Sequence, residues 1–372
     1  MFDVNLSNRI NFVETIFTNI EVNMKKIKVG ILFNEPMPEM YKAKTVESVK
    51  ELGFVPYFEV DDISPVEEYE LLTKIVEKNG FNAYHFNVRD DFFKLIEHLK
   101  IEKPDVIFNF VELFHNDPKL EMNIAGIYEL LKIPYTGAPP IALANCQNKV
   151  LTKRILAYNK ISSPRFIMVT ELKNRYKHSL KFPLIIKPAY EDASVGIDYR
   201  AVVSSNKDLK ERIQNILENF KQPALVEEFI EGRELNVAIM GDKNPEVLPI
   251  SEIDFSEMPD HLENIVSYQA KWDPLHEAYH KTIPICPAEL PNDVRKNVEE
   301  IALNAFKTMG VRDYSRVDIR LSKSNEVFVL EVNPNPDLTE SAGFMRSAEA
   351  AGYSYEQALV KILNFAIERG KQ

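Results

Sequence analysis

The spacing of apolar and polar residues divides the chain into two styles. Residues 27–33 form a largely apolar run that reads as a buried strand, residues 42–52 read as a helix and 55–60 as a second strand. A helix over 91–99 precedes a strand over 105–110, and a helix over 119–132 stops at Ile133-Pro134, where proline ends it. Strands alternating with helices predict a parallel sheet with both faces covered. Beyond it, a helix over 141–158 leads into strands over 165–169, 183–189 and 196–203. The helix predicted over 207–220 carries Leu209, Ile213, Ile216, Leu217 and Phe220 on one stripe. Strands over 224–230, 234–240 and 246–253 follow, then a helix over 291–309. Ser354 and Gln357 form a capping box for a last helix running to about Glu368.

The most informative pattern lies between Arg316 and Asn333. Two alternating runs, Arg316–Leu321 and Glu326–Asn333, flank the polar turn Ser322–Asn325, which predicts a β-hairpin. Pairing Leu321 with Glu326 sets Arg316 opposite Glu331 and Asp318 opposite Val329. One face then holds Val317, Ile319, Leu321, Phe328, Leu330 and Val332, and the other gathers Arg316, Asp318, Glu331 and Asn333. Two carboxylates and an amide oxygen on one face suit a hard divalent cation that shares its shell with phosphate. The same residues also fit the solvated face of an edge hairpin.

Composition narrows the options. At 372 residues the chain is long enough for two or three domains, and its net charge of −11 argues against a nucleic-acid partner. Cys146 and Cys286 are far apart and in no metal-binding spacing, which suits a reducing cytoplasm. No apolar run is long enough to span a bilayer. The first residues carry Asp3, Glu14 and Glu21, unlike a signal peptide. They read either as a short helix with Phe12, Ile16, Phe17 and Ile20, or as a segment ahead of a start at Met24. Glycine is scarce, and neither a Walker loop nor GxGxxG is present, so a nucleotide must be held by side chains and strand backbone. His276 and His280 match HExxH, but no third ligand follows downstream, which argues against zinc.

Eight stretches then occur in a telling order: Pro134–Gly137, Asn148–Lys153, Lys187–Gly196, Val226–Glu234, Ser267–Lys271, Arg316–Asp318, Glu331–Asn333 and Ala350–Glu356. Over about residues 105–365 they resemble the ATP-grasp ligases, and among them the D-alanine–D-alanine ligases. The resemblance implies an α/β ATP-grasp fold: an extension over 1–26, a Rossmann-like parallel-sheet (pre-ATP-grasp) domain over 27–138, a central α+β subdomain over 139–223 and a C-terminal α+β subdomain over 224–372. It also implies ATP with two Mg²⁺ ions, small-molecule acid and amine substrates, and a homodimer.

Residue by residue, the resemblance makes Lys149, Lys187 and Lys271 phosphate contacts, with Glu191 and Ser194 in the loop that closes over the phosphates. Glu227 would accept the adenine amine, and Glu228, Phe229 and Ile230 would supply neighbouring contacts. Glu234 would bind the ribose. Asp318, Glu331 and Asn333 match the Mg²⁺ ligands, and Arg316 the arginine beside the moving phosphoryl group. Catalysis would then fall to Arg316, Lys271 and Ser194. The implied reaction turns a carboxylate into an acyl phosphate, which an amine attacks to give an amide, ADP and phosphate. The alternatives are an ATP-grasp kinase acting on a small molecule, a ligase that tailors a peptide or carrier protein, and a non-catalytic nucleotide-binding module.

The substrate half departs from the family pattern. The family's glycine-rich strand end and its Glu are replaced by Phe33–Tyr41, which has no glycine. Ala193 and Ala342 stand where the family has serines, and Trp272 where it has a tyrosine. This argues against a dipeptide built from D-alanine. Asp337 and Glu340 fall where the acceptor lies, which points to a positively charged acceptor, although Asp337 also suits a turn cap after Pro336. Glu112 and Glu121 either face the donor or are solvated. Arg346 is a candidate for a substrate carboxylate, and Trp272 for a further substrate contact.

Overall fold

Strand Lys28–Phe33 runs through the middle of a three-stranded parallel sheet, between Asn82–Asn87 and Val106–Phe110. Val29, Ile31, Leu32 and Phe33 are all buried, which is why this strand reads as an apolar run rather than an alternation. The structure, a computed structural model, describes residues 26–36, 65–191, 194–273 and 275–371. The helix expected over 42–52, the strand over 55–60, residues 1–25, Tyr41 and Ala193 lie outside these. Helices Pro65–Lys78, Phe92–Glu102 and Glu121–Leu131 accompany the sheet.

The helix expected over 141–158 is two helices, Pro140–Gln147 and Lys149–Tyr158. They meet at Asn148, which has extended backbone and whose side chain accepts from Leu151 N, capping the second helix. A four-stranded antiparallel sheet follows, ordered Phe166–Val169, Ala224–Glu228, Leu184–Pro188, Val202–Val203. The strand expected over 196–203 shrinks to its last two residues. Strand Ala224–Glu228 hydrogen-bonds inside this sheet, so the sheet boundary falls after Glu228, not at residue 224. Helix Asn206–Asn215 packs Leu209 and Ile213 onto Leu184, Ile186 and Val226. The chain then widens into a π-helical turn over Ile216–Phe220, which keeps Ile216 in the core.

The third sheet has six antiparallel strands, ordered Ile283–Ile285, Ser251–Asp254, Gly232–Gly241, Asp313–Ser322 and Val327–Asn333, with Glu246–Val247 beside Gly232–Gly241. The strand expected over 246–253 is thus broken in two. One face of this sheet is covered by helix Asn292–Met309, whose Val294, Val298, Ala302 and Phe306 share a core with Val237, Ile319 and Val329. The other face is covered by helices at one end. There Ala238, Met240 and Tyr314 pack with Phe344, Leu359 and Ile362 of helices Gly343–Ala350 and Tyr355–Gly370, the latter opened by the Ser354–Gln357 capping box.

The hairpin forms, but not in the expected register. Leu321 pairs with Val327 and Ile319 with Val329; after an irregularity Asp318 pairs with Glu331 and Arg316 with Asn333. The extra residue on the second strand is Leu330. Val327 and Val329 therefore take core positions that the sequence reading gave to Phe328 and Leu330. The bulge reverses the alternation at that point, so Glu331 comes to lie on the same face as Asp318 instead of in the core.

Candidate active site

Three adjacent strands of the third sheet bring their polar side chains together on one face. Asp318 lies between Glu331 on one side and Asn236 on the other, because both pair with it directly. Its Oδ1 accepts from Asn236 Nδ2 at 2.8 Å and from Arg316 Nε at 2.7 Å; its Oδ2 accepts from Arg316 Nη2 at 2.8 Å and Asn333 Nδ2 at 2.9 Å. Burial raises the Asp318 pKa, Arg316 opposes the rise and the Glu331 charge adds to it. Burial would also raise Glu331, but Lys149, Lys187 and Arg316 outweigh it and hold the carboxyl below its ordinary range.

The lysines come from other elements. Lys149 opens the helix capped by Asn148 and puts Nζ 3.1 Å from Glu331 Oε2. Lys153 lies one turn further along the same helix face. It and Lys187 pair with the two oxygens of Glu227, each at 2.5 Å, and all three residues are buried. Each Glu227 oxygen thus has its own ammonium partner inside the protein. Burial works to raise the Glu227 pKa, yet Lys153 and Lys187 lower it overall; burial lowers Lys153.

Glu234 is buried and paired with Arg320 Nη2 at 2.8 Å, and the Arg320 guanidinium lies 5.3 Å from the Phe229 ring centre. Burial raises the Glu234 pKa against the pull of Arg320. Glu191 accepts from Gln222 Nε2 at 2.7 Å. Ser194 has left-handed backbone (φ 63°), and its hydroxyl donates to Val266 O at 2.9 Å. Together with Tyr268 N bonded to Ile197 O, this ties the loop after residue 193 to the segment that carries Lys271. The Lys271 ammonium lies 5.1 Å from the half-exposed Trp272 ring, and after Arg316 its charge also opposes the rise that burial gives the Asp318 pKa.

Some expected residues do not join the cluster. Glu228 points to the opposite face of its strand, accepting from Arg165 Nη1 at 3.2 Å and Lys181 N at 2.8 Å. The Phe229 amide donates to Pro183 O, and Ile230 is half-buried just before the strand that begins at Gly232. Asp337 lines a pocket beyond Asn333, although its carboxylate also accepts from Thr339 N and Oγ1, as a turn cap does. Glu340 is exposed outside that pocket, and Arg346 donates to Ser341 O at 2.9 Å. His276 uses its Nδ1 to accept from Ala278 N at the start of helix Glu277–Lys281. Lys153, Asn236 and Arg320 were not singled out from the sequence. Asn236 lies two positions after Glu234 in an alternating strand, and Lys153 four after Lys149 in a helix, so both had a readable signal.

Oxygen donors on the Asp318 face fit a hard cation. Among the described residues no three His, Cys, Asp or Glu side chains form a metal site, so a cation here would draw on Asp318, Glu331, the Asn333 amide oxygen and phosphate. Turning the Asn333 amide presents that oxygen without moving the backbone.

Comparison with known proteins gives a consistent result. Residues 154–364 match the family model described as D-ala D-ala ligase C-terminus. A D-alanine–D-alanine ligase of Carboxydothermus hydrogenoformans is 32% identical over 304 residues, which is 79% of this chain and 90% of that protein. An uncharacterized protein of Sinorhizobium fredii is 30% identical over 264 residues, 71% of this chain and 75% of that one. The crystal structure of the Bacillus anthracis D-alanine–D-alanine ligase complexed with ATP superposes with a TM-score of 0.66, covering 93% of this chain and 99% of that one at 21% identity. That likeness is one of fold, and the fold is ATP-grasp.

Proposed function

Because the chain belongs to the D-alanine–D-alanine ligase family, we propose that it is an ATP-dependent carboxylate–amine ligase whose substrates differ from D-alanine. The observation that carries this reading is the convergence of Asn236, Asp318, Glu331 and Arg316 on one sheet face, with Lys149 paired to Glu331 from the start of helix Lys149–Tyr158. Lys149 and Lys187 draw the triphosphate into this cleft, and Lys271 approaches it from the third side. Glu227 accepts from the adenine amine, and Glu234 from the ribose. Two Mg²⁺ ions held by Asp318, Glu331 and Asn333 would neutralise charge on the transferred phosphoryl group. With a cation held there, Arg316 would be released from Asp318 to stabilise charge on the transferred phosphoryl group.

The γ-phosphoryl group passes to a carboxylate oxygen, giving an acyl phosphate and ADP. The amine nitrogen then attacks the acyl carbon, phosphate leaves with the C–O electron pair, and the amine releases a proton. The Ser194 loop excludes water from that intermediate. The residues replaced in the substrate half, Trp272 and Ala342 among the described ones, support a different substrate pair. A homodimer is part of the same proposal, and sedimentation equilibrium tests it.

The test is phosphate release from ATP with a panel of acids and amines. A ligase shows release only when acid and amine are both present. ADP formed with no phosphate and no need for an amine would indicate a kinase and overturn the proposal.

A further inference from the structure

One buried lysine beside the cluster has no part in the mechanism above. The Lys153 side chain is 1% exposed, as is that of Glu227, whereas Lys187 keeps 10%. Strand pairing fixes this group. Ile185 pairs with Glu227, so Lys187, two residues on, lies diagonally from Glu227 on the same sheet face. Phe166 pairs with Glu227 from the other side. Helix Lys149–Tyr158 meets that face through Val150, which packs with Leu225, Ala189, Phe166 and Tyr190. Val150 and Lys153 are three residues apart and share a side of the helix. The three charges therefore meet beside an apolar patch, where a carboxylate without a counter-ion is costly.

We propose that Lys153 is a positioning residue for the nucleotide: a fixed counter-ion that keeps Glu227 charged while Lys187 moves from Glu227 to the phosphates. The inference rests on the roles proposed above for Glu227 and Lys187.

The two lysines on Glu227 differ in what else they serve. After Lys149, Lys187 is the next charge that lowers the Glu331 pKa, so its ammonium is within range of the acid on the sheet face as well as of Glu227. Lys153 is enclosed. Its helix is held by a second pair one turn earlier, Lys149 to Glu331 at 3.1 Å, and four helical residues advance ~6 Å. One rigid helix face thus carries a cation to each of two acids, Glu331 and Glu227. Lys187 pairs with Glu227 Oε2 at 2.5 Å and must give up that pair to grip a phosphate. Were it the sole partner, each phosphate contact would leave a buried carboxylate without a cation, or draw a proton onto it and reduce its capacity to accept from the adenine amine. Lys153 removes that penalty by staying on Oε1. The exchange also works in reverse for Lys153: burial lowers its pKa, and the Glu227 charge opposes the fall.

The test is equilibrium binding of adenosine, and of the magnesium complex of a non-hydrolysable ATP analogue, to the full-length protein. The ratio of the two affinities reports what the phosphates contribute. Lys153→Met should lower that ratio by at least ~10-fold, because Lys187 then stays on Glu227. Lys153→Gln, which keeps a hydrogen-bond donor and loses the charge, should lower it too, and it serves where Lys153→Met fails to fold by circular dichroism. In a Glu227→Gln background the buried charge is gone, so adding Lys153→Met should change the ratio by less than about twofold. A ratio that stays at the parent value when Lys153 is replaced would overturn the inference, since packing alone weakens both ligands together. An undiminished loss in the Glu227→Gln background would also overturn it, since Lys153 would then not act through Glu227. The two readings fail separately. If the parent prefers the analogue and the Lys153 variants keep that preference, the nucleotide reading stands and Lys153 drops out of it. If the parent binds the analogue no better than adenosine, the phosphate role of Lys187 falls and takes the inference with it.

Discussion

Two regions on either side of Asn333 treat charge in opposite ways. On the side of the proposed nucleotide site each of four carboxylates faces a cation: Glu227 has Lys153 and Lys187, Glu331 has Lys149, Asp318 has Arg316 and Glu234 has Arg320. In the pocket beyond Asn333, burial and then the charge of Asp337 raise the Glu68 pKa, and no Lys, Arg or His is among the described residues of the wall. Removing a partner from an ion pair costs attraction, whereas removing one of two like charges relieves repulsion. The two therefore respond to substitution and to pH with different signs.

The largest effect should come from the balanced side. Asp318→Asn removes the charge on which Arg316, Asn236 and Asn333 converge, and ATP-dependent phosphate release should fall by ~10²–10³-fold with the fold retained. Steady-state kinetics at saturating ATP checks this, and a drop under tenfold would mean that the sheet face is not where phosphate chemistry occurs. Next, Lys153→Met leaves Glu227 buried with one partner and should cost roughly 3 kcal/mol in urea denaturation. Glu68→Gln, which removes repulsion rather than attraction, should leave stability unchanged or slightly higher in the same measurement.

The pH dependence sharpens the contrast. Glu227 has its pKa lowered in the folded protein, so the stability it contributes is present above the ordinary value of 4.5 and is lost as pH falls through the lowered value. Glu68 is raised, so its contribution is present below 4.5 and is lost as pH rises through the raised value. Stability curves of Glu227→Gln and Glu68→Gln should therefore diverge from the parent at opposite ends of the acid range. Parallel curves would remove the distinction between the two regions. The smallest effect is expected for Tyr314→Phe, because that hydroxyl bonds to no described residue. Its denaturation midpoint should stay within roughly 0.5 kcal/mol of the parent.

How much of this was legible depends on how far apart the participating residues lie. Alternation alone predicted the hairpin and put Arg316, Asp318, Glu331 and Asn333 on one face, and the structure keeps that set together. It missed the register because nothing around Leu330 marks an extra residue; its neighbours are as apolar and strand-prone as it is. The helix break at Asn148 was also readable, since Asn is a favoured cap, but the apolar pattern runs through it. The widened turn after Asn215 kept its apolar stripe and so looked like plain helix. The pocket had no local signature. Glu68, Glu112, Tyr314 and Tyr355 come from distant parts of the chain, and only the meeting of the parallel sheet's helices with the third sheet assembles them.

The bulge at Leu330 bears on how related chains should be judged. Asp318 and Asn333 stand 15 positions apart because one strand of the ribbon carries a residue more than its partner. A chain that kept both acids but lost that one residue would turn Glu331 inward among valines, and its alignment would still look intact. Counting the interval between the first acid and the asparagine is therefore a stricter sign that this polar face is intact than matching the acids themselves.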